Sequence, residues 1–91
     1  KAKIDLIKIA KYTQLTWGTV QRNNYLKLMD AAFHQLANEP LLGVSCNDIR
    51  EGYWKRPEGS HVIYYKEHKA KQILIVRILH KSMDVNPIFG A

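Results

Sequence analysis

Cysteine, long apolar runs and metal-binding spacings are scarce or missing in this 91-residue sequence. A single cysteine, Cys46, cannot form an intrachain disulfide, which fits a reducing compartment. No apolar run approaches the length of a transmembrane helix, and no secretory signal is visible. The four histidines and Cys46 form no CxxC or HxxxH pair, so we expect no metal. The glycines of "REGYW" and "PEGSH" are typical of turns, which excludes a phosphate-binding loop.

What the sequence has is a hydrophobic content of 46% and a basic charge balance. The length and this composition predict one small globular domain, spanning residues 1–91. Fourteen Lys and Arg against eight Asp and Glu give a formal net charge of +6. Such a balance indicates an acidic partner, either nucleic acid, an anionic membrane or an acidic protein, although it also serves plain solubility.

The first 38 residues carry the spacing of two helices. In helix 1, residues 1–17, Ile9, Thr13 and Trp17 recur at intervals of four and share one face. Gly18 then allows a tight turn, and Thr19 is the predicted N-cap of helix 2, which covers residues 19–38. Two helices joined by so short a turn form an antiparallel hairpin.

From residue 53 onward the sequence is rich in β-branched and aromatic residues. The runs "YWKR", "SHVIYYKE" and "QILIVRILH" are separated by "PEG" and "HKAK", which predicts a three-stranded antiparallel meander over residues 53–80. The last run is apolar on both faces, so we expect a central strand. The helix hairpin can cover one face only. The C-terminal tail, residues 81–91, or a partner should cover the other face through Ile88 and Phe89.

One hypothesis is that the polar residues catalyse RNA cleavage. Such catalysis needs a general base, a general acid and cations near the phosphate. The candidates are Arg50, Lys55, Arg56, His61, Tyr64, Arg77, His80 and Lys81. Their spacing enforces no acid–base pair, and the histidines are equally typical of structural or partner-contacting positions. Cys46 lies beside Asp48 and lacks the basic surroundings that activate a thiol.

Several motifs occur in a familiar order along nearly the whole chain. They are Asp5-Leu6, Tyr12-Thr13, Trp17-Gly18, Tyr25-Leu26, Leu36–Pro40, Arg50–Tyr53, Gly59–Tyr65 and Arg77–Asp84. With these motifs the chain resembles the ParE branch of the RelE/ParE toxin superfamily. "GSHVIYY" together with "RILHKSMD" is the most specific pair, and the closing "MDVNPIFGA" is similar to ParE toxins of vibrios.

The resemblance implies a fold, a function and partners. The fold is α+β, a helix hairpin packed on a small antiparallel sheet. The family also has an N-terminal strand, and since this sequence begins at the first helix we expect that strand to be missing from it. The implied function is that of a cytoplasmic bacterial toxin from a type II toxin–antitoxin module, which inhibits DNA gyrase without being an enzyme. A ParD-like antitoxin neutralises it and contacts operator DNA, and a toxin dimer within the complex is conceivable. No cofactor is implied.

Two sets of contact residues follow from this resemblance and from the enrichment of aromatics at interfaces. The predicted antitoxin-binding residues are Trp17, Tyr25, Met29, Tyr53, Trp54 and Tyr64. The predicted target-facing residues are Arg77, His80, Lys81, Met83 and Asp84. No catalytic residue is predicted.

Two other functions stay open from the sequence. One is a RelE-type, ribosome-dependent mRNA endonuclease, which shares the fold. In that branch an arginine usually stands where this chain has His61, a departure that favours the gyrase-directed branch. The other is an inactive toxin fold that retains only antitoxin binding.

Overall fold

A computed structural model describes residues 1–70 and 72–89 of the chain. Lys71, in the predicted "HKAK" turn, and Gly90 and Ala91, at the end of the predicted tail, lie outside the described residues. The elements are α1 (Ala2–Trp17), α2 (Thr19–Asn38), a 3-10 turn (Pro40–Leu42), β1 (Val44–Ser45), β2 (Trp54–Glu58), β3 (His61–Lys69), β4 (Gln72–His80) and α3 (Asn86–Phe89). This arrangement confirms the predicted α+β fold with a helix hairpin on an antiparallel sheet.

The hairpin turns at Gly18, whose φ of 94° is a conformation that residues with a Cβ rarely adopt. Its N–H donates to the Gln14 carbonyl and its carbonyl accepts from Arg22, so one residue closes α1 and opens α2. The predicted N-cap, Thr19, is therefore wrong, because Thr19 is already the first helical residue and makes no capping hydrogen bond. The Arg22 guanidinium also donates to the Gln14 side chain across the turn at 2.6 Å. In the described part of the chain, no helix is both long and apolar enough to cross a membrane.

The sheet has the strand order β1–β2–β3–β4, and every neighbouring pair is antiparallel. The prediction that the last strand is central is wrong, because β4 pairs only with β3 among the described strands and lies at an edge. The sequence analysis also missed β1, which has two residues and too short a pattern to detect. Within residues 1–70 and 72–89, no strand precedes α1.

Two apolar clusters lie on opposite faces of the sheet. The first joins α2 to the sheet through Met29, Ala32, Leu36, Ile63 and Tyr65. The second comprises Cys46, Tyr64, Leu79 and Phe89, with Val85 and Ile88 packed against it. The C-terminal tail therefore covers the second face, which was one of the two possibilities expected from the doubly apolar last strand. Cys46 is buried in this second cluster, and burial raises the pKa of its thiol, which disfavours the reactive thiolate.

A β-bulge changes the alternation of side chains along β4. Tyr64 pairs with Arg77 and Tyr65 pairs with Ile75, which leaves Val76 as the extra residue. The bulge explains why a strict period of two, as read from the sequence, does not hold through the strand. Beyond the bulge, the register places His80 directly opposite His61 at the end of the sheet.

Candidate binding groove

An open groove of about 840 Å³ lies between the two helices of the hairpin and the end of the β3–β4 pair. Its walls are largely apolar, with polar groups gathered at the sheet end. Trp17 and Met83 are 70% and 47% exposed there, so the groove carries apolar surface that the chain leaves uncovered. The residues that line the groove are Asp5, Lys8, Ile9, Tyr12, Thr13, Trp17, Gln21, Tyr25, Ser60, His61, Arg77, Ile78, Leu79, His80 and Met83.

An ion pair between Asp5 and Arg77 forms one polar part of the groove. The Arg77 guanidinium donates from Nε at 2.7 Å and from Nη2 at 2.9 Å, so the pair is bidentate. Asp5 also accepts from the backbone N–H of Ile78 at 3.0 Å. Burial raises the pKa of the Asp5 carboxyl, but the hydrogen bonds and charge of Arg77 and the Ile78 amide outweigh burial and lower it overall. These contacts fix α1 to β4 and satisfy the carboxylate.

Tyr25 on α2 holds His61 in one tautomer. The Tyr25 oxygen accepts from the Ser60 N–H at 2.9 Å, so its single proton is available to another acceptor. The nearest acceptor is Nδ1 of His61 at 2.7 Å, well inside the 3.4 Å to the Glu58 carbonyl. We assign the hydroxyl proton to the shorter of these two contacts, which makes Nδ1 of His61 an acceptor and places the ring proton on Nε2; in the other tautomer the hydroxyl would donate to Glu58.

His80 is held in the same tautomer by the residues that follow it. Its Nδ1 lies 3.2 Å from the backbone N–H of Ser82, which can only donate. The Ser82 hydroxyl approaches the same nitrogen at 2.7 Å. Nδ1 of His80 is therefore also an acceptor, and its proton is on Nε2.

The two imidazoles stand edge to face, with ring centroids 5.4 Å apart. Burial, and to a smaller extent the neighbouring His80, lowers the pKa of His61, so its neutral form is favoured. In the described part of the chain, Nε2 of neither ring has a hydrogen-bond partner. Since no buried side-chain nitrogen or oxygen there lacks a partner, Nε2 of His61 reaches solvent. His80 is exposed as a whole.

In these tautomers His61 and His80 present hydrogen-bond donors to the groove, and neither imidazole presents a base to it. A histidine that abstracts a proton from a ribose hydroxyl must present an unprotonated nitrogen to it. Here the unprotonated nitrogen of each ring faces its own chain, and the protonated nitrogen is the free one. The pair is therefore suited to binding an acceptor atom. Among residues 1–70 and 72–89, no three His, Cys, Asp or Glu side chains form a metal-binding group.

The predicted antitoxin-binding residues are divided between the two faces. Trp17 and Tyr25 line the groove. Trp54 is half-buried against the first cluster, and Tyr53 packs edge to face on Phe89, in the second cluster. Two members of the set require correction. Met29 and Tyr64 are 0% and 5% exposed because they fill the two cores, so neither offers surface to a partner.

The predicted target-facing residues meet Trp17 and Tyr25 in the same groove. Arg77, His80 and Met83 line it, and Lys81 follows His80 on the exposed surface. Asp84 has a local role as well, because its carboxylate accepts from the Asn86 N–H at 3.2 Å and so stabilises the turn that leads into α3. One groove thus combines residues that the sequence assigned to two different surfaces.

Of the residues considered for RNA cleavage, only His61, Arg77 and His80 line the groove. Arg50 donates to the Phe89 carbonyl at 3.1 Å, and Arg56 donates to Gln35 and Glu58. The sequence analysis missed the role of Asp5. A carboxylate on the stripe formed with Ile9 and Thr13 indicates a buried cation partner.

The fold and groove define a small α+β binding module with a basic surface. Comparison with known proteins adds the family. The sequence model of the ParE toxin of the type II toxin–antitoxin system, parDE, matches residues 1–85. Toxin ParE1 of Mycobacterium tuberculosis (strain H37Rv) is 36% identical over 85 residues, which cover 93% of this chain and 87% of that protein. Toxin ParE1 of Caulobacter vibrioides is 32% identical over 90 residues, covering 99% and 92%. The chain belongs to the ParE toxin family of type II toxin–antitoxin systems.

Proposed function

We propose that this toxin acts in the cytoplasm by binding and inhibiting DNA gyrase, and that a ParD-like antitoxin neutralises it. Operator DNA is contacted through the antitoxin only. The observation that carries the proposal is the open groove in a member of the ParE toxin family, in which Trp17 is 70% exposed beside an ordered polar network. Exposed aromatics beside satisfied polar groups are typical of a protein-binding surface.

Neutralisation follows from the convergence of the two predicted surfaces. Trp17 and Tyr25, predicted to contact the antitoxin, share the groove with Arg77, His80 and Met83, predicted to face the target. If both partners use this groove, the antitoxin excludes gyrase by occupying it. The net charge of +6 favours rapid association with an acidic antitoxin segment.

A supercoiling assay with purified gyrase tests the proposal. Added toxin should inhibit supercoiling, and an excess of antitoxin should restore it. Met83→Ala should weaken inhibition about fivefold or more, because it removes an apolar contact in the groove. Leu41→Ala is the matched control, since Leu41 is 66% exposed and does not line the groove. Full supercoiling at saturating toxin that still binds antitoxin would contradict the gyrase target and support the inactive, antitoxin-binding alternative.

A second candidate is RNA cleavage of the RelE type, favoured by the convergence of Tyr25, His61, Arg77 and His80. The tautomers count against it, because both imidazoles present a protonated nitrogen to the groove. Primer extension on mRNA after toxin induction discriminates the two functions. Codon-specific cuts that His80→Ala or Arg77→Ala abolishes would replace gyrase inhibition by RNA cleavage.

A further inference from the structure

The histidine pair at the end of the sheet has a property that gyrase inhibition does not by itself require. His61 and His80 are direct cross-strand partners, and each uses Nδ1 to accept a hydrogen bond from its own chain. Both Nε2–H groups are thus free donors at one end of an apolar groove. The register sets the two rings side by side, with centroids 5.4 Å apart, so both side chains are within reach of one incoming acceptor group.

The acidic side chains near the pair are already engaged. Asp5 is bound by Arg77 and the Ile78 amide. Glu58 accepts from Arg56 at 3.4 Å. Asp84 accepts from the backbone of Asn86 in the tail. Water satisfies the two Nε2–H groups in the free chain, and an acidic group that replaces this water must come from another molecule.

We infer that His61 and His80 together bind a side-chain carboxylate of a partner peptide, whose neighbouring apolar residue packs on Trp17 and Met83. The inference rests on the proposed function in one respect only, namely that the antitoxin supplies this acidic segment. The position of the donors beside exposed apolar walls sets the chemistry of the occupant, an Asp or Glu next to a large apolar residue.

Nucleic acid fits this groove less well. A phosphodiester chain is held by several cations along its path. Of the cations that line the groove, Arg77 is already neutralised by Asp5, which leaves Lys8. The apolar walls formed by Ile9, Trp17 and Met83 instead match a peptide side chain.

Binding of a carboxylate should be coupled to protons. Burial and the neighbouring His80 favour the neutral form of His61 in the free toxin, whereas a bound carboxylate favours its protonated form. Affinity should therefore rise about three- to tenfold when the pH is lowered from about 7.5 to about 6.5. The other titratable and charged groups around the pair are Asp5 and Lys8 of α1, Tyr25 of α2, Glu58 of β2, Arg77 of β4, and Lys81 and Asp84 of the tail.

The test compares antitoxin binding to variants at His80, which is exposed and therefore tolerant of replacement. His80→Phe keeps an aromatic ring and removes the donor, and should weaken binding about tenfold. His80→Gln keeps a hydrogen-bond donor at this position, so it should retain more affinity than His80→Phe. Lys81→Ala is the matched control, since it removes a full charge from the adjacent position and should change affinity less than His80→Phe.

Two outcomes separate this inference from the proposed function. If antitoxin binds wild type and His80→Phe equally, or if its affinity for wild type does not change with pH, the carboxylate receptor is wrong while the toxin–antitoxin pairing stands. If no antitoxin binds, the pairing fails. Nitrogen NMR of the imidazoles then decides the receptor with acetate as the probe and chloride at equal ionic strength as the reference. Acetate should shift Nε2 of His61 and His80. Shifts no larger than with chloride, or larger shifts with single-stranded RNA only, would overturn the inference.

Discussion

The two faces of the sheet contrast in how their aromatic residues are used. On the face covered by the C-terminal tail, Tyr64 is 5% exposed and Phe89 is 6% exposed, and their rings pack edge to face at 5.0 Å. On the groove face, Trp17 remains 70% exposed, and the Tyr25 hydroxyl forms a hydrogen bond with His61. The tail closes the first of these faces, whereas on the second face α2 covers the first cluster and leaves the groove open at the sheet end, where an ordered polar network lies beside uncovered apolar surface.

This contrast shows which aromatics serve stability and which are available to a partner. A buried aromatic contributes through packing and leaves nothing for a second molecule. An exposed aromatic next to hydrogen-bonded polar groups gains its burial only when a partner arrives. The five predictions that follow test the contrast, beginning with the largest expected effect on stability.

Phe89→Ala should open the closed face. Phe89 packs on Tyr53 and Tyr64, so its loss should lower the free energy of unfolding by about 3 kcal/mol. Denaturant unfolding measures the loss, and Phe89→Leu should cost less than half as much. Antitoxin affinity of the folded fraction should be unchanged. A change below about 1 kcal/mol would show that the tail does not close this face.

Asp5→Asn should break the ion pair that fixes α1 to β4. The change leaves Arg77 without its carboxylate and weakens the bond to the Ile78 amide, so we expect a loss of about 2–3 kcal/mol. Asp30→Asn is the control, because the Asp30 side chain is 70% exposed and its pairing with His34 lies on the surface.

The same pair has a pH signature. Since the pKa of Asp5 is lower in the folded state, its stabilisation is complete above the unfolded value near 3.8 and is lost as the pH falls through the folded value. The stability of Asp5→Asn should therefore fall less steeply in acid than that of wild type. If the stabilities of wild type and Asp5→Asn fall equally as the pH is lowered, the ionisation of Asp5 is not coupled to folding.

Tyr25→Phe should release His61 with a smaller loss of stability. The variant removes the donor to Nδ1 and the acceptor for the Ser60 amide, at a cost of about 1–2 kcal/mol. With Nδ1 free to take a proton, the pKa of His61 should rise in imidazole NMR titrations. Tyr12→Phe is the control, because Tyr12 is a groove residue that is 65% exposed. It should change neither the free energy of unfolding nor the pKa of His61. An unshifted His61 would contradict the assigned tautomer.

The smallest effect should be the pH dependence that His61 itself contributes. Burial and His80 lower its pKa below 6.5 in the folded state, so the unfolded chain binds the proton more readily. Stability should be complete above about pH 7 and decline as the pH falls toward about 5.5. His61→Gln should flatten that part of the stability curve, and an unchanged slope would assign it to another group.

The sequence was sufficient for the hairpin and the three long strands, because helical spacing in α1 and α2 and β-branched runs are local signals. The sequence did not predict that β4 lies at an edge of the sheet, since an apolar run does not indicate which strands flank it. The bulge at Val76 is also invisible to an alternating pattern.

The groove was harder to predict than the fold. The sequence predicts that Trp17 and Tyr25 contact one partner and that His80 and Met83 contact another. Only the packing of the hairpin on the sheet brings these four residues together. The sequence could not show whether Met29 packs in the core or contacts a partner, because an apolar residue is typical of both positions. The tautomers depend on hydrogen bonds across α2 and the β2–β3 turn, which no sequence spacing encodes.

Amide and side-chain NMR of labelled toxin with its antitoxin tests most directly which face is the binding surface. We predict that signals of Trp17, His61, His80 and Met83 shift on complex formation, while those of Tyr53, Tyr64 and Phe89 remain close to their free positions. Shifts confined to the face closed by Phe89, with the groove signals unchanged, would contradict the assignment of the groove as the binding surface.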